Sequence, residues 1–323
     1  MKRLIIVICV MVLSSVSLYA ASEEVVISCS WGNIAATLSE PEGGSETAVL
    51  IIAGSGPTDR NGNSGLTLNT YAYKMLSDGL VESGYAVLRY DKRAIGASYL
   101  PNEEVPNLLY DDFVEDAERC VAWLREQDYI NVFLAGHSEG GSIAIEVAQR
   151  GVVDLAGLVL LAAPGYPMDK ILSGQLSAQL VPSNMGLFVA SERIIRRIKS
   201  GETVDVNEVP QELLGLFHPT VQPFLRSSMQ RDPCKLIAEC DEPILIITGG
   251  RDIQVTVDNG ERLLAAARNA RHVTFENMSH VLKDALSSDR VEQLLSVYTN
   301  SQLSLTEGLV PTIVEFMNNV ITK

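Results

Sequence analysis

The chain contains 323 residues, of which 46% are hydrophobic and 20% are charged, and its formal net charge is −15. This length predicts one large domain, or a domain core that carries an insertion. Nucleic acids and anionic membrane surfaces would repel so acidic a protein, so we expect neither class of partner.

The N-terminal segment, residues 1–20, has the layout of a secretory signal peptide. Lys2 and Arg3 precede an apolar run, and small and polar residues follow as far as Ala20. A membrane anchor that stays attached is the alternative, but the apolar run is short for a bilayer span. We therefore predict a signal peptide over 1–20 and an exported protein, periplasmic or secreted, that is free of the membrane after cleavage.

Apolar, β-branched segments recur along the rest of the chain, at residues 24–29, 33–38, 48–53, 85–90, 131–136, 155–163, 243–249 and 272–276. From the third segment onward they are almost continuously apolar, which is typical of parallel strands buried on both faces. Helical patterns such as 70–84 and 112–127 alternate with them. The alternation predicts an α/β fold with a mostly parallel, eight-stranded sheet, helices on both faces and an antiparallel pair at its start.

The segment 133–148 contains Gly136, Ser138 and Gly140 in a G-x-S-x-G pattern between a predicted strand and a predicted helix. In that context the pattern indicates a nucleophile elbow, a strained turn that holds a serine hydroxyl at the edge of the sheet. Neighbouring backbone leaves no room for a Cβ at either glycine. We predict Ser138 as the nucleophile; the alternative is a glycine-rich turn with an ordinary serine.

Residues 166–237 interrupt the alternation, because they show amphipathic helical patterns and no clear strand. An insertion at the carboxyl edge of a strand would cover the face where open α/β sheets bind ligands. We therefore predict a helical lid over 166–237 and a core formed by 21–165 and 238–323. A pair of helices packed at the side of the sheet is the alternative.

A serine hydroxyl needs a base that removes its proton. His137 adjoins the predicted nucleophile and must point away from it, His218 lies in the predicted lid, and His272 begins a strand. His280 follows the last predicted strand, in a loop that reaches the same edge as the elbow. By elimination, we predict His280 as the base of Ser138.

The base needs a carboxylate that fixes its tautomer and stabilises its charged form. Asp252 lies just past the penultimate predicted strand, whereas Asp258 lies too far into the next helix and Glu276 at a strand end. The chain order Ser138, Asp252, His280 is the order found in α/β-hydrolases. We predict these three residues as a catalytic triad.

The loop after the third predicted strand, residues 53–63, is rich in glycine. It lacks the lysine and the spacing of a phosphate-binding loop, and in a hydrolase of this type it supplies a backbone N–H to the oxyanion hole. We predict Ser55 as this donor, with Gly56 as the alternative. The second donor is the N–H of Glu139, the residue after the nucleophile, whose side chain has no part in that role.

The remaining cysteines, Cys29, Cys120, Cys234 and Cys240, do not have the spacing of a metal site. Export would permit a disulfide, and the sequence leaves its presence open. Cys120 falls on the apolar side of a predicted helix and is expected to be a small core residue. We expect neither a metal nor a cofactor.

The chain resembles exported bacterial serine esterases of the α/β-hydrolase superfamily, the group with a GSGPTDRxGN loop after the third strand. The resemblance rests on that loop, on RYDKRAIGAS at 89–98, on residues 240–255 around Asp252, and on the C-terminal helix. Ala94 stands where the second loop usually has glycine, and Ala53 where many relatives have histidine.

This resemblance implies hydrolysis of small-molecule carboxylic esters, with a preference for short acyl chains and without metal or cofactor. Related members include peptidases and thioesterases, so both stay open as alternatives, as does a silent binding protein that has kept the fold. Arg60 and Arg93 lie on loops at the predicted catalytic edge. Either guanidinium would suit a substrate carboxylate, but pairing of Arg93 with Asp59, Asp91 or another loop acid is the favoured interpretation. The sequence leaves the oligomeric state open.

Overall fold

The structure, a computed structural model, describes residues 21–100 and 108–322. The predicted signal peptide lies outside these residues. Among the helices that are described, none is both long enough and apolar enough to cross a membrane.

The protein contains the predicted eight-stranded, mostly parallel sheet. Its strands lie in the order β1-β2-β6-β3-β7-β8-β9-β10, and β1 and β2 pair antiparallel, as do β2 and β6. A separate two-stranded ribbon is formed by β4 and β5. The bounds are β1 Ala21–Cys29, β2 Gly32–Glu40, β3 Thr47–Ile52, β4 Asn63–Ser64, β5 Leu68–Asn69, β6 Ala86–Tyr90, β7 Asn131–His137, β8 Gly157–Leu161, β9 Ile244–Gly249 and β10 Ala270–Phe275.

Two layers of helices cover the sheet, and this explains the continuous apolar runs. Every residue of β3, β6, β8 and β9 is buried, as expected of parallel strands with a packed helix on each face. One core cluster joins the sheet to α2, α3, α8 and α9 and includes Cys120, whereas the other joins it to α1 and α11. The helices are α1 Ala72–Glu82, α2 Tyr110–Glu126, α3 Glu139–Arg150, α4 Met168–Leu180, α5 Met185–Lys199, α6 Leu214–Phe217, α7 Gln222–Ser228, α8 Pro233–Ile237, α9 Val257–Ala266, α10 Arg290–Ser296 and α11 Leu309–Ile321.

The segment for which a lid was predicted, residues 166–237, contains the helices α4 to α8 between β8 and β9. It has an apolar cluster of its own, which includes Leu172, Ile198 and Phe217. Its last helix, α8, contributes Ile237 to the core of the sheet. The segment is therefore packed internally and is anchored to the core at its C-terminal end.

The parallel strands bring four loops to one edge of the sheet. Residues 53–62 follow β3, the elbow follows β7, Asp252 follows β9 and His280 follows β10. The carboxyl ends of parallel strands meet at the same edge, where open α/β sheets place their ligand sites. The fold thus collects the residues that the sequence singled out.

Candidate active site

The turn at Ser138 is a strained backbone that only glycine neighbours permit. Ser138 has φ 54° and ψ −122°, and its N–H donates to Leu161 O over 2.8 Å. A Cβ on Gly136 would lie 2.3 Å from Gly140 O, and a Cβ on Gly140 would lie 2.2 Å from Ile52 O. Both distances are far below contact, so this turn places Ser138 at the start of α3 only because the two flanking side chains are absent.

Asp252 and His280 form a buried pair on the neighbouring loops. His280 Nδ1 lies 2.8 Å from Asp252 Oδ2, and the Asp252 side chain is fully shielded from solvent. The other carboxylate oxygen accepts the N–H groups of Gln254 and Val255, at 2.7 and 2.8 Å. Because an ionised carboxylate only accepts hydrogen bonds, Nδ1 carries the imidazole proton and Nε2 is left as a base.

Ser138, the predicted nucleophile, lies next to this pair, although the hydrogen-bond network does not extend to it. The rings of His137 and His280 have centroids 4.8 Å apart, so the residue before Ser138 packs directly on the predicted base. Among the hydrogen bonds of the described residues, none joins Ser138 Oγ to His280. Catalytic hydrogen bonds of this kind often tighten only when substrate is bound. The structure thus brings Asp252 and His280 into contact and Ser138 into their neighbourhood.

The ring of His137 is held by a chain of hydrogen bonds that connects three loops. Its Nε2 lies 2.7 Å from His280 O, a carbonyl that can only accept, so Nε2 carries the proton. Its Nδ1 therefore accepts the hydroxyl of Tyr73, 2.7 Å away. That hydroxyl in turn accepts the N–H of Gly54 over 3.0 Å. His137 thus ties the loop after β3, the elbow and the His280 loop together.

The predicted oxyanion donors lie on both sides of the elbow. A Cβ on Gly54 would lie 3.2 Å from the Cβ of Ser138, so the loop after β3 rests against the elbow at Ser138. Within the described residues, the N–H groups of Ser55, Gly56 and Glu139 donate to no protein acceptor. These groups are therefore available to a ligand oxygen at the elbow, as an oxyanion hole requires.

The sequence model of a family described as serine aminopeptidase, S33, matches residues 63–283. The chain belongs to this family. The matched range includes Ser138, Asp252 and His280 but begins after the loop that carries Ser55.

Among curated proteins, esterase EstD from Thermotoga maritima is 29% identical over 240 residues, which are 73% of this chain and 54% of EstD. The chain thus spans about half the length of this relative.

Similar solved structures show which fold the chain has. A Pyrococcus furiosus esterase, Pf2001, superposes with a TM-score of 0.60 at 16% identity over 94% of this chain and 91% of that one. Est1E from Butyrivibrio proteoclasticus, bound to ferulic acid, gives 0.59 at 18% over 93% and 100%. The protein has the α/β-hydrolase fold.

The solved structures with this fold also include a peptidase. Proline iminopeptidase from Mycobacterium smegmatis superposes with a TM-score of 0.59 at 15% identity, over 92% of this chain and 98% of that chain. Identities this low establish the common fold alone. The chemistry therefore has to be argued from the residues of this site.

Three of the residues that the sequence set aside, His218, His272 and Asp258, have other hydrogen-bond partners in the structure. His218 Nδ1 bonds Thr220 Oγ1 within the 166–237 segment, over 2.9 Å. His272 Nε2 bonds Thr248 Oγ1 between β10 and β9, over 2.8 Å. Asp258 accepts a hydrogen bond from its neighbour Thr256 on the surface. None of the three contacts His280.

Arg60 and Arg93 are both committed to ion pairs. Arg60 binds Asp91 at 2.9 Å and Glu24 at 2.6 Å. Arg93 binds Asp116 at 2.6 Å and also contacts Asp112 at 3.0 Å. The favoured interpretation of Arg93 was therefore right in kind, but its partners lie on α2 instead of the loops. Substrate binding by either guanidinium is not supported.

The structure gives one physical reason to expect a glycine at position 94, as in the esterases that the sequence resembles. Ala94 has φ 67°, a left-handed backbone that glycine adopts at no steric cost. The alanine of this chain therefore carries a small strain that a glycine would not. Ala53 is buried, with 2% exposure, at the end of β3.

No site for a metal ion is present in the described part of the chain: it has no cluster of at least three His, Cys, Asp or Glu side chains that could hold one. Cys29, Cys120, Cys234 and Cys240 are free thiols. The acyl-transfer chemistry considered below needs neither a metal nor a disulfide.

Sequence reasoning missed two buried residues of the site. Tyr73 of α1 holds His137 and Gly54, and Lys92, just past β6, donates to Gly54 O. It also treated the side chain of Glu139 as incidental, whereas this carboxyl is buried and faces Lys92 at 3.9 Å. Lys92 lies in the segment that carried the family resemblance, but no sequence pattern indicates the direction of its side chain.

Because His137 is buried, the free energy of unfolding is expected to depend on pH in a specific way. Burial, and next to it the charge of His280, lowers the pKa of His137 to about 3. In the unfolded chain the pKa is about 6.5, so between these values the unfolded state binds a proton that the folded state does not. This contribution to the free energy of unfolding is complete above pH 6.5 and falls with decreasing pH, by at most about 1.4 kcal/mol per pH unit.

Urea unfolding of the wild-type protein and of His137→Gln between pH 4 and 8 measures this effect. We expect the variant to be less stable than wild type at pH 7.5 and to have a shallower loss of stability toward acid. Equal slopes for both proteins would show that the buried imidazole does not titrate in this way.

Proposed function

We propose that the protein is a carboxylesterase-type serine hydrolase that forms an acyl-enzyme on Ser138. The observation that carries the proposal is the buried Asp252–His280 pair packed beside a strained serine elbow. Such a pair activates a serine hydroxyl, which is a poor nucleophile by itself. The relative EstD, an esterase, supports the same reaction class.

In the first half-reaction, His280 Nε2 takes the proton of Ser138 Oγ as the oxygen attacks the ester carbonyl carbon. The carbonyl oxygen becomes negative and is bound by the N–H groups of Ser55 and Glu139. Each such donor is worth about 3 kcal/mol of barrier. The C–O bond to the leaving group then breaks, and the alcohol leaves with the proton from His280.

In the second half-reaction, water attacks the acyl carbon while His280 Nε2 takes one of its protons. The oxyanion of this second tetrahedral intermediate is bound by the same N–H groups of Ser55 and Glu139. When it collapses, the bond to Ser138 Oγ breaks, the carboxylic acid leaves and the proton returns to the serine. Asp252 keeps the imidazole in one tautomer and stabilises its charge in both halves.

The carboxyl groups beside the elbow support an ester over a peptide with a free amino terminus. An aminopeptidase has to bind the substrate's ammonium group, for which a carboxylate is the natural partner. Asp252 is committed to His280, and Glu139 faces the ammonium of Lys92. We therefore rank peptidase activity, which the family description and the iminopeptidase neighbour raise, second to esterase activity.

The 166–237 segment is proposed as a lid that limits the length of the acyl chain. A cavity of about 230 Å³ lies between α4 and the residues that follow Asp252, including Ile253 and Gln254. Gln175 of α4 donates to Gln254 O across it, over 3.3 Å. None of the residues that line this cavity belongs to the proposed triad or oxyanion hole, so the proposed short-chain preference rests on the family resemblance. We also propose export, on the layout of residues 1–20.

A panel of p-nitrophenyl esters from acetate to palmitate, run beside acyl thioesters and aminoacyl p-nitroanilides, tests the proposal. We expect kcat/KM to be greatest for the shortest acyl chains and at least about 100-fold lower for the anilides, since specificity follows differential transition-state binding. Faster cleavage of anilides or thioesters than of every ester would overturn the ester assignment. Absence of both turnover and labelling by a fluorophosphonate would indicate a silent binding protein.

A further inference from the structure

Lys92 is a cation buried immediately behind the predicted oxyanion hole. Only 3% of its surface is exposed, and its Nζ donates to Gly54 O, with the Phe113 ring 5.8 Å away. Burying an ammonium is costly unless it is paired and hydrogen-bonded. Lys92 takes no part in the proposed acyl transfer, so the burial of its ammonium needs a separate explanation.

The acceptor of Lys92 belongs to the same peptide group as the first oxyanion donor. The Gly54 carbonyl and the Ser55 N–H share one planar, resonance-stabilised unit. An ammonium that is hydrogen-bonded to the carbonyl oxygen draws electron density from the peptide nitrogen, and hydrogen bonds linked in this way strengthen one another. Lys92 therefore makes the Ser55 N–H a better donor to a negative oxygen.

The second donor also contacts Lys92, through its side chain. Glu139 Oε1 lies 3.9 Å from Lys92 Nζ, and the side chain is 4% exposed. Glu139 Oε2 has no hydrogen-bond partner among the residues that the structure describes. A buried carboxylate this near the elbow would oppose the growing charge on the substrate. Burial raises the pKa of Glu139 and lowers that of Lys92, and each group opposes the shift of the other.

We infer that Lys92 is a positioning residue of the oxyanion hole, which fixes and polarises the Gly54–Ser55 peptide and balances the carboxyl of Glu139. The inference rests on the proposed function, because it assigns Lys92 to the stabilisation of that reaction's transition state. A charge of this kind acts on the tetrahedral intermediate more strongly than on the neutral ester. A lysine that merely fills space would affect the binding of the ester and of the tetrahedral intermediate equally, or would affect neither.

Two substitutions separate the charge from the hydrogen bond. Lys92→Met keeps the length and loses both, whereas Lys92→Gln keeps a neutral donor. We expect kcat for the best ester to fall about 10- to 100-fold in both variants while KM changes less than about threefold, the pattern of an interaction made only in the transition state. Affinity for a trifluoromethyl ketone should fall in parallel, and affinity for the product acid should not. Lys235→Met, at an exposed lysine, is the control.

The outcomes distinguish this inference from the proposed function. If Lys92→Gln retains wild-type kcat and ketone affinity, the charge is not needed and the inference is wrong. Equal losses of ketone and product affinity would also overturn it, because they indicate a general distortion of the pocket. If Lys92→Met does not fold, the same criteria apply to Lys92→Gln. A wild-type protein without ester turnover or fluorophosphonate labelling would overturn the proposed function itself.

Discussion

Ser138→Ala is expected to lower kcat for ester hydrolysis by about 10⁵-fold, because the acyl-enzyme can no longer form. The remaining rate would come from the oxyanion hole and from substrate binding. Alanine and serine are strained equally by a backbone with φ 54°. The free energy of unfolding should therefore change by less than about 0.5 kcal/mol. Single-turnover kinetics and urea unfolding measure the two quantities.

Ser142→Ala is the matched control, since Ser142 lies on the same helix, α3, and has no place in the proposed chemistry. It should keep wild-type turnover and react with a fluorophosphonate at Ser138, whereas Ser138→Ala should not be labelled at all. Hydrolysis by Ser138→Ala at more than about a hundredth of the wild-type rate would exclude the acyl-enzyme mechanism. An enzyme that works through an acyl-enzyme cannot keep so much of its rate without the nucleophile.

The sheet was predictable because its strands are read directly from apolar continuity. Strands buried on both faces, such as β3 and β9, leave no polar alternation to confuse with a surface helix. The elbow was predictable for a related reason: two glycines flank a serine at a point where a strand becomes a helix. In both cases the physical requirement falls on neighbouring residues, so a short stretch of sequence contains it.

The supporting contacts of the site were not predictable, because they join residues far apart in the chain. Tyr73 of α1 bonds His137 of the elbow, and Lys92 reaches the carbonyl of Gly54. Sequence spacing says nothing about which way a side chain turns at the end of a strand. Arg93 shows the same limit: a buried guanidinium had to have an acidic partner, but only the packing of α2 decides that this is Asp116.

Gly140→Ala is expected to lower the free energy of unfolding by about 3 kcal/mol, the upper range for forcing an extra methyl group into a packed interior. The added Cβ would lie 2.2 Å from Ile52 O and 2.7 Å from Ala53 O. Both atoms belong to backbone at the end of β3, which cannot rotate away as a flexible side chain would. Urea or thermal unfolding measures the loss.

Gly174→Ala is the matched control, because Gly174 lies within α4 and its added Cβ has open space around it. Apart from its chain neighbours and the backbone of its own helix, no atom of the described residues lies within 4 Å. There the methyl group should raise stability by up to about 1 kcal/mol through helix propensity alone. Equal effects of the two substitutions would contradict the close approach of β3 to the elbow. If Gly140→Ala folds, its turnover should still fall sharply, because Ile52 and Ala53 lead directly into Gly54 and Ser55. The same carbonyl groups that exclude a methyl from residue 140 therefore set the distance between Ser138 and the proposed oxyanion donor Ser55.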